Sequence, residues 1–318
     1  MVQITDLFIY PVKSLKGIAL EESMTALRGL EYDREWMVTT IDYEFITQRE
    51  IELMSTIEVS IDSGALILSS KNNSKHNIPL DSIKSEPIKA SVWGDICDAY
   101  DEGDDVSLWL TSVLGQYKGK SLRLVRFSSQ GLRPVPSKYL EGIEAQSAFS
   151  DQFPYLITSW ESLDMLNKGL IKNGSQVAKM DRFRPNIVVK GIEDLEKKTS
   201  QNFLCQQSGY SFGLRKPCKR CKIITINQDD GKIDNPKEPL ATLTSLRFSD
   251  EINGAFFGQN AILLSTKNYI LKVGDELSIG YFIFRYPGLI LHFYSSKLVF
   301  FFPVMSINYF LVFLQFSI

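Results

Sequence analysis

Short apolar runs rich in β-branched residues recur along the first 280 residues and constrain the fold of this chain more than any other feature. Turn residues such as Ser63-Gly64, Asp230-Gly231 and Gly274-Asp275 lie between many of them. Runs of this length and spacing are typical of the strands of barrels and sandwiches. We therefore predict strands at residues 3–10, 36–40, 65–69, 187–190, 223–226 and 261–265.

Two segments have a helical spacing of apolar residues instead, and each is followed by a glycine. One helix is predicted between Asp104 and Gly115, and the other between Ser159 and Gly174. No βαβ alternation is evident, which argues against a doubly wound dinucleotide-binding fold. The predicted fold is mainly β, with β-barrel domains and a few helices, and α+β overall. The Ser/Gln/Gly/Pro-containing stretch 128–137 is a predicted linker.

Two of the four cysteines, Cys218 and Cys221, lie three residues apart among five cationic side chains in the segment 215–222. Nearby positive charge stabilises a thiolate, which is the form of cysteine that attacks electrophiles and binds metals. The cluster therefore predicts a functional thiol. Four cysteines in 318 residues do not indicate a secreted disulfide scaffold, so a reducing cytoplasm is expected.

Several kinds of site contain a Cys-x-x-Cys pair. Half of a zinc site is one, although only His76, His292 and two scattered cysteines are available to complete it. A thioredoxin-like pair is another, but such pairs normally begin a helix, and here a strand-like run follows. A structural pair of buried cysteines is a third, and the surrounding cations argue against it. The fourth is one thiolate bound to a redox metal whose other ligands belong to an organic cofactor.

Side chains suited to a cofactor phosphate occur near several predicted strands. Each alone would be read as a solvated surface group, and together they favour the cofactor interpretation. They are Lys13, Ser14, Arg34, Arg49, Arg182, Arg184 and Asn186.

Nine segments, in collinear order, resemble the molybdenum-cofactor sulfurase C-terminal (MOSC) family, in the branch with an N-terminal β-barrel domain that includes the mitochondrial amidoxime-reducing component. The resemblance covers residues 1 to about 280 and implies a MOSC N-terminal β-barrel domain at 1–125 and a cofactor-binding MOSC β-barrel domain at 126–280. The segments are 10–14, 29–36, 47–49, 151–156, 182–187, 217–221, 239–240, 257–260 and 273–275.

The resemblance implies that Cys221 is the catalytic molybdenum ligand, with Asp151 as a second catalytic residue, and that the phosphate-suited side chains named above bind the molybdenum cofactor, molybdopterin. It implies an oxidoreductase that reduces amidoximes, hydroxylamines or N-hydroxylated bases by two electrons. The resemblance also implies pyridoxal phosphate binding, as a label given to the family as a whole. A cofactor or sulfur carrier without turnover is the alternative, followed by a thiol-disulfide oxidoreductase. The proton donor stays unassigned.

Electron transfer is expected to need a second protein, because the Cys-x4-Cys-x2-Cys pattern of a plant-type ferredoxin, and hence its iron–sulfur cluster, is absent from this sequence. A flavoprotein reductase or a ferredoxin-like protein would serve as the donor. A net charge of −2 gives no general attraction to nucleic acid.

The composition changes abruptly in a hydrophobic tail at residues 281–318, which contains nine of the twenty phenylalanines. Residues 298–318 are uncharged, and about 20 residues suffice for a helix to cross a bilayer, although Pro303 interrupts the run. A tail anchor and a tail unrelated to the folded domains are both open interpretations. Since the N-terminus shows no export signal, the expected location is the cytoplasm, with membrane association only if the tail is an anchor.

Overall fold

The computed structural model describes residues 1–72, 74–82, 85–246, 254–286, 289–294, 297–301 and 311–314. Within them the chain forms α1 (Asp104–Leu114), α2 (Trp160–Lys172), α3 (Leu240–Leu246) and short 3-10 turns. The strands of the first half are β1 (Val2–Ile9), β2 (Val12–Lys13), β3 (Ile18–Leu20), β4 (Glu22–Ala26), β5 (Gly29–Leu30), β6 (Trp36–Thr40), β7 (Glu58–Asp62), β8 (Ala65–Ser69), β9 (Lys75–Pro79), β10 (Pro87–Val92), β11 (Asp95–Asp101) and β12 (Leu122–Phe127). Those of the second half are β13 (Tyr155–Ser159), β14 (Ile187–Lys190), β15 (Gln201–Leu204), β16 (Ser211–Lys219), β17 (Phe256–Leu263), β18 (Ile270–Lys272), β19 (Glu276–Tyr286), β20 (Leu289–Tyr294), β21 (Lys297–Phe301) and β22 (Leu311–Leu314).

Seven of the described strands close into a barrel, because β1 pairs with both β14 and β19. The order around the barrel is β1, β14, β13, β17, β16, β15 and β19. Every neighbouring pair is antiparallel except β13 and β14, which α2 connects as a parallel pair. Alternate side chains fill the interior, among them Ile4, Leu7, Tyr155, Phe203, Phe212 and Leu214. The first strand of the chain therefore belongs to a barrel built mainly from its second half.

A second core lies in the first half of the chain. Strands β10, β11, β12, β6 and β2 form a five-stranded sheet in that order, and β7, β8 and β9 form a separate antiparallel meander. Helix α1 adds Val106 and Leu110 to this core, which also contains Trp36, Leu66 and Leu124. On the barrel side, α2 contributes Leu163, Leu166 and Leu170 to a third apolar layer.

The mainly β fold predicted from the sequence is confirmed. Predicted strands 36–40, 65–69 and 187–190 coincide with β6, β8 and β14, and both predicted helices form. The predicted strand 223–226 is wrong, because Lys222–Thr225 is a 3-10 helix whose Ile224 amide donates to the Cys221 carbonyl at 3.2 Å. A short apolar run fits a buried helical turn as well as a strand. The predicted strand at 261–265 ends at Leu263 and begins earlier, at Phe256.

The described parts of the predicted tail are strands. Strand β19 continues past Gly280 to Tyr286, and β20, β21 and β22 follow it as successive antiparallel neighbours. The rest of the tail, residues 287–288, 295–296, 302–310 and 315–318, lies outside the described residues. Among the residues that are described, no helix is both long and apolar enough to span a membrane.

Candidate functional site

An open cleft between the five-stranded sheet and the barrel brings together most of the predicted site residues. Its empty volume, with the solvent-facing mouth included, is about 880 Å³. Strand β2 and the loops after β5 and β6 contribute one wall, and the segments around β16 and β14 contribute the other. The predicted residues that line it are Lys13, Ser14, Arg34, Arg49, Asp151, Arg184, Asn186 and Cys221.

Arg182 is the predicted site residue that does not line this cleft. Its Nη1 is 3.3 Å from the carbonyl oxygens of Ile224 and Thr225, which belong to the 3-10 helix that follows Cys221. Arg182 therefore lies against backbone, away from the group of cations that faces the cleft.

Each cysteine of the Cys-x-x-Cys pair has an arginine of its own. Cys221 follows β16 at the start of the 3-10 helix, and Arg49 Nη2 lies 3.0 Å from its sulfur. Cys218 lies on β16 itself, with Arg220 Nη1 3.0 Å from its sulfur. Both cysteines are free and half-buried. The cation nearest Cys221 thus comes from a loop 172 residues earlier in the chain, which the local cluster of cations did not indicate.

Two arginines converge on one aromatic ring beside the cleft. The guanidinium carbons of Arg34 and Arg184 lie 4.3 and 4.2 Å from the centre of the Tyr10 ring. Asp33 binds Arg34 through both carboxylate oxygens at 2.6 Å, whereas Arg184 donates through Nη1 to the Leu15 carbonyl at 2.7 Å. Burial lowers the pKa of Arg184 to about 10, so it stays charged at neutral pH. Its buried Nη2 atom has no hydrogen-bond partner among the residues that the structure describes.

Three of the cleft residues have left-handed backbones. Ser14, Arg34 and Arg184 have φ angles of 69°, 52° and 53°. For a residue with a Cβ this conformation costs roughly 1–2 kcal/mol, and such strain concentrates at functional sites. All three residues line the cleft.

An ion pair joins the two walls at the mouth of the cleft. Lys13 is buried, and its Nζ donates to Asp151 Oδ1 at 2.7 Å and to the Phe149 carbonyl at 2.8 Å. Burial lowers the pKa of Lys13, and the charge of Asp151 opposes this. Desolvation raises the pKa of Asp151, but Lys13 together with Trp93 and Arg49 lowers it by more, so the net shift is downward. Asp151 is therefore a carboxylate at neutral pH.

Residues that the sequence did not single out hold this arrangement. The buried Arg133 donates to the carbonyls of Ala148, Ser150 and Asp151 and to the Asp95 carboxylate, which fixes the loop that carries Asp151. Gln48 donates to the Ser14 carbonyl at 2.8 Å. Arg133 was overlooked because it lies in the segment interpreted as a linker, 128–137.

Asn186 connects two strands in the cleft wall. Its Oδ1 accepts from the Leu156 amide at 3.2 Å, and its Nδ2 donates to the Phe8 carbonyl at 3.3 Å. The side chain is 2% exposed and ties β1 to β13. Its amide is therefore engaged by backbone on both sides.

The donors of the cleft fit a phosphate-bearing pterin. An unpartnered buried guanidinium nitrogen on Arg184, next to Arg34 and Lys13, suits phosphate oxygens, and the half-buried Cys221 sulfur is a soft ligand suited to molybdenum. A zinc site fits less well, because no group of three or more His, Cys, Asp and Glu side chains comes together in the described part of the chain.

Two family models match this chain. Residues 1–117 match the model of the MOSC N-terminal beta barrel domain, and residues 144–278 match that of the MOSC domain. Mitochondrial amidoxime reducing component 2 of Rattus norvegicus is 32% identical over 294 residues, which cover 89% of this chain and 82% of the relative. Mitochondrial amidoxime-reducing component 1 of Mus musculus is 30% identical over 264 residues, or 80% and 74% of the two chains.

A plant protein extends the set of relatives. Molybdenum cofactor sulfurase of Oryza sativa subsp. japonica is 30% identical over 268 residues, which cover 77% of this chain and 31% of that protein. The cleft, the two matched domains and these relatives together lead to one conclusion. The chain belongs to the MOSC family, with a MOSC N-terminal β-barrel domain followed by a MOSC domain, and its function is associated with the molybdenum cofactor.

Proposed function

We propose that this protein is a molybdenum-cofactor-dependent reductase of N-hydroxylated compounds. The observation that carries the proposal is the half-buried Cys221 sulfur, which faces the same cleft as a pair of arginines with an unpartnered buried donor. The cleft thus offers a soft metal ligand together with a cationic cradle. The names of the amidoxime-reducing relatives support the choice of substrate class.

The chain's own residues divide the work of binding the cofactor. Arg34 and Arg184 would bind its phosphate as charge-assisted donors, with Lys13 and Ser14 beside them, and Cys221 would ligate the metal. Arg49 would help to orient the Cys221 sulfur, because its Nη2 lies 3.0 Å from that sulfur. When bound, the cofactor supplies a metal centre that accepts oxygen and exchanges two electrons.

The proposed reaction converts an N-hydroxylated compound and two electrons and two protons into the N–H compound and water. The N–O bond breaks and an N–H bond forms. A separate electron-donor protein, either a flavoprotein reductase or a ferredoxin-like protein, would supply the electrons. Asp151 is ionised at neutral pH, so its proposed role is to accept hydrogen bonds from the substrate rather than to donate a proton.

The test is to compare Cys221→Ser with Cys218→Ser in protein produced by a host that makes the cofactor. Molybdenum content, pterin content and amidoxime reduction by a chemical reductant are measured in each. Serine is a hard ligand that is scarcely ionised, so we expect Cys221→Ser to lose bound molybdenum and activity. The loss should be on the order of 100-fold or more, since even outer residues of metal sites change affinity or activity by 10- to 100-fold. Cys218→Ser should be milder.

Three other outcomes distinguish the alternatives. Equal and complete loss in the two variants would favour a dithiol mechanism. Normal cofactor content without turnover in the unchanged protein would favour a carrier. Full activity of Cys221→Ser would remove the basis of the proposal.

A further inference from the structure

The tip of the hairpin between β10 and β11 places an aromatic side chain beside the cleft mouth. Trp93 and Gly94 form the two-residue turn, with φ angles of 54° and 88°. A left-handed backbone is common for glycine and rare for a bulky residue such as tryptophan. The Trp93 side chain is also 43% exposed, although solvent exposure of an indole gives no stability. Strain and exposure together indicate a binding role.

Contacts on several sides fix the orientation of this indole. Its Nε1 donates to Asp151 Oδ1 at 3.0 Å. The Arg49 guanidinium carbon lies 4.5 Å from the ring centre, and the Phe45 ring lies at 4.7 Å, tilted by 56°. These contacts hold the indole of this exposed residue in one orientation.

Asp151 presents a free acceptor next to that indole. Lys13 and Trp93 both donate to Oδ1, whereas Oδ2 receives no hydrogen bond from the described part of the chain. The Asp151 side chain is 71% exposed, so Oδ2 is accessible. The Nζ of Lys13 and the guanidinium carbon of Arg49 lie 5.7 and 4.5 Å from the centre of the Trp93 ring, and their positive charge disfavours a cationic ligand at this surface.

We propose that Trp93 and Asp151 form a recognition subsite for neutral, planar groups that carry N–H donors. A flat ligand would stack on the exposed indole while its N–H group donates to Asp151 Oδ2. This inference rests on the proposed reductase function. The subsite would select aryl amidoximes over N-oxides, because N-oxides lack an N–H donor. Trp93 is then a residue that determines specificity rather than one that takes part in the bond changes.

The test uses benzamide, which is planar and neutral, carries N–H donors and has no N–O bond to reduce. Full-length protein with its cofactor is labelled with ¹⁵N at its four tryptophans, and the Trp93 indole signal is assigned by its loss in Trp93→Phe. Benzamide should shift the Trp93 signal. Trp160, which is 41% exposed and lies outside the cleft, is the matched control, and its signal should stay in place.

Affinities measured by ligand-observed NMR complete the test. Trp93→Leu should weaken benzamide binding about five-fold and Asp151→Asn about ten-fold, as expected for lost stacking and a lost charged hydrogen bond. In the unchanged protein, cyclohexanecarboxamide, which is not planar, and methyl benzoate, which has no N–H, should bind more weakly than benzamide. A Trp93 signal that benzamide does not move, or equal affinity in Trp93→Leu, would overturn the subsite. Since benzamide cannot be reduced, this result does not depend on whether the protein is a reductase.

Discussion

Arg34 and Arg184 differ in how far neighbouring groups neutralise their charges. Asp33 neutralises Arg34 through two hydrogen bonds. Within the described part of the chain, Arg184 has no carboxylate among its hydrogen-bond partners and keeps one buried nitrogen free. A buried donor without a partner costs about 1–3 kcal/mol, and more when it is charged. An anion that fills this position would recover that cost. Arg184 is therefore the residue whose loss should affect cofactor binding most directly.

We expect Arg184→Ala to lower pterin content while the fold survives. Loss of one charged hydrogen bond costs roughly 1.5–3 kcal/mol, which corresponds to about 10- to 100-fold in affinity for the cofactor. Arg182→Ala is the matched control, because Arg182 lies two residues away but outside the cleft. Pterin released by denaturation is measured by its fluorescence. Full pterin content in Arg184→Ala, or an equal loss in both variants, would contradict the assignment.

The ion pair at the cleft mouth should make stability depend on pH. The pKa of Asp151 is below its ordinary value in the folded protein, so its contribution is present above the unfolded pKa of about 3.9 and is lost as pH falls through the folded value. Asp151→Asn removes this contribution. The difference in urea midpoint between the unchanged protein and Asp151→Asn should therefore be largest near neutral pH and should shrink below about pH 4. If this difference in midpoint stayed constant with pH, the ionisation of Asp151 would not be coupled to folding.

The sequence indicated the residue types that line the cleft, but it did not indicate which of two nearby arginines, Arg182 or Arg184, lines it. Arg182 and Arg184 occur in one short motif, and both were predicted to bind the cofactor. Arg184, which has a left-handed backbone, lines the cleft, whereas Arg182 lies against backbone carbonyls outside it. A sequence gives little sign of such a conformation at a residue other than glycine. Cys221 lines the cleft, and its role as a metal ligand stays a prediction; its arginine partner, Arg49, comes from a distant loop.

Some secondary-structure elements have a clear signal in the sequence, and others do not. Helix α2 was predictable because Leu163, Leu166 and Leu170 have helical spacing, and Ser159 caps it by accepting a hydrogen bond from the Ser162 amide at 3.1 Å. The 3-10 helix after Cys221 was mistaken for a strand, since four residues cannot reveal a period.

The hairpin tip at Trp93 shows a signal that was present and not used. The residues on both sides of the Trp93-Gly94 pair alternate as they do in strands, and a pair between two such runs is typical of a two-residue turn. Tryptophan is an unusual first residue for such a turn. Reading that pair as a turn would have placed an exposed aromatic side chain at the edge of the five-stranded sheet. Its position beside Asp151 still depends on how the sheet and the barrel meet, which no local pattern encodes.

At the scale of the whole molecule, barrel closure joins the first strand of the chain to β19. Val2 pairs with Leu277 and Gln3 with Glu276, so the first described strand meets β19 across more than 270 residues. Such non-local pairing leaves no trace in local periodicity, which is why the fold class was predictable and the shared barrel was not. The boundary at residue 125 stays a prediction, and the position of β1 shows that the sequence segments interleave in space.

The register of β19 leads to a prediction about the tail. A chain truncated after Gly280 keeps the part of β19 that pairs with β1 and the pairs from Asn202 to Leu204 on β15. It also keeps Leu277, which is 1% exposed in the barrel core. We expect this chain to be soluble, to bind the cofactor and to unfold cooperatively, as measured by near-ultraviolet circular dichroism and molybdenum content.

Truncation after Asp275 is the matched comparison, because it removes five further residues and with them the strand that closes the barrel. That chain exposes the edges of β1 and β15 and loses a core leucine, so it should aggregate or lack fixed tertiary structure. The contrast between the two truncations separates barrel closure from the tail itself. If truncation after Gly280 also abolished folding, the strands that continue β19 would be part of the stable core, and the tail could not be an addition to a complete barrel.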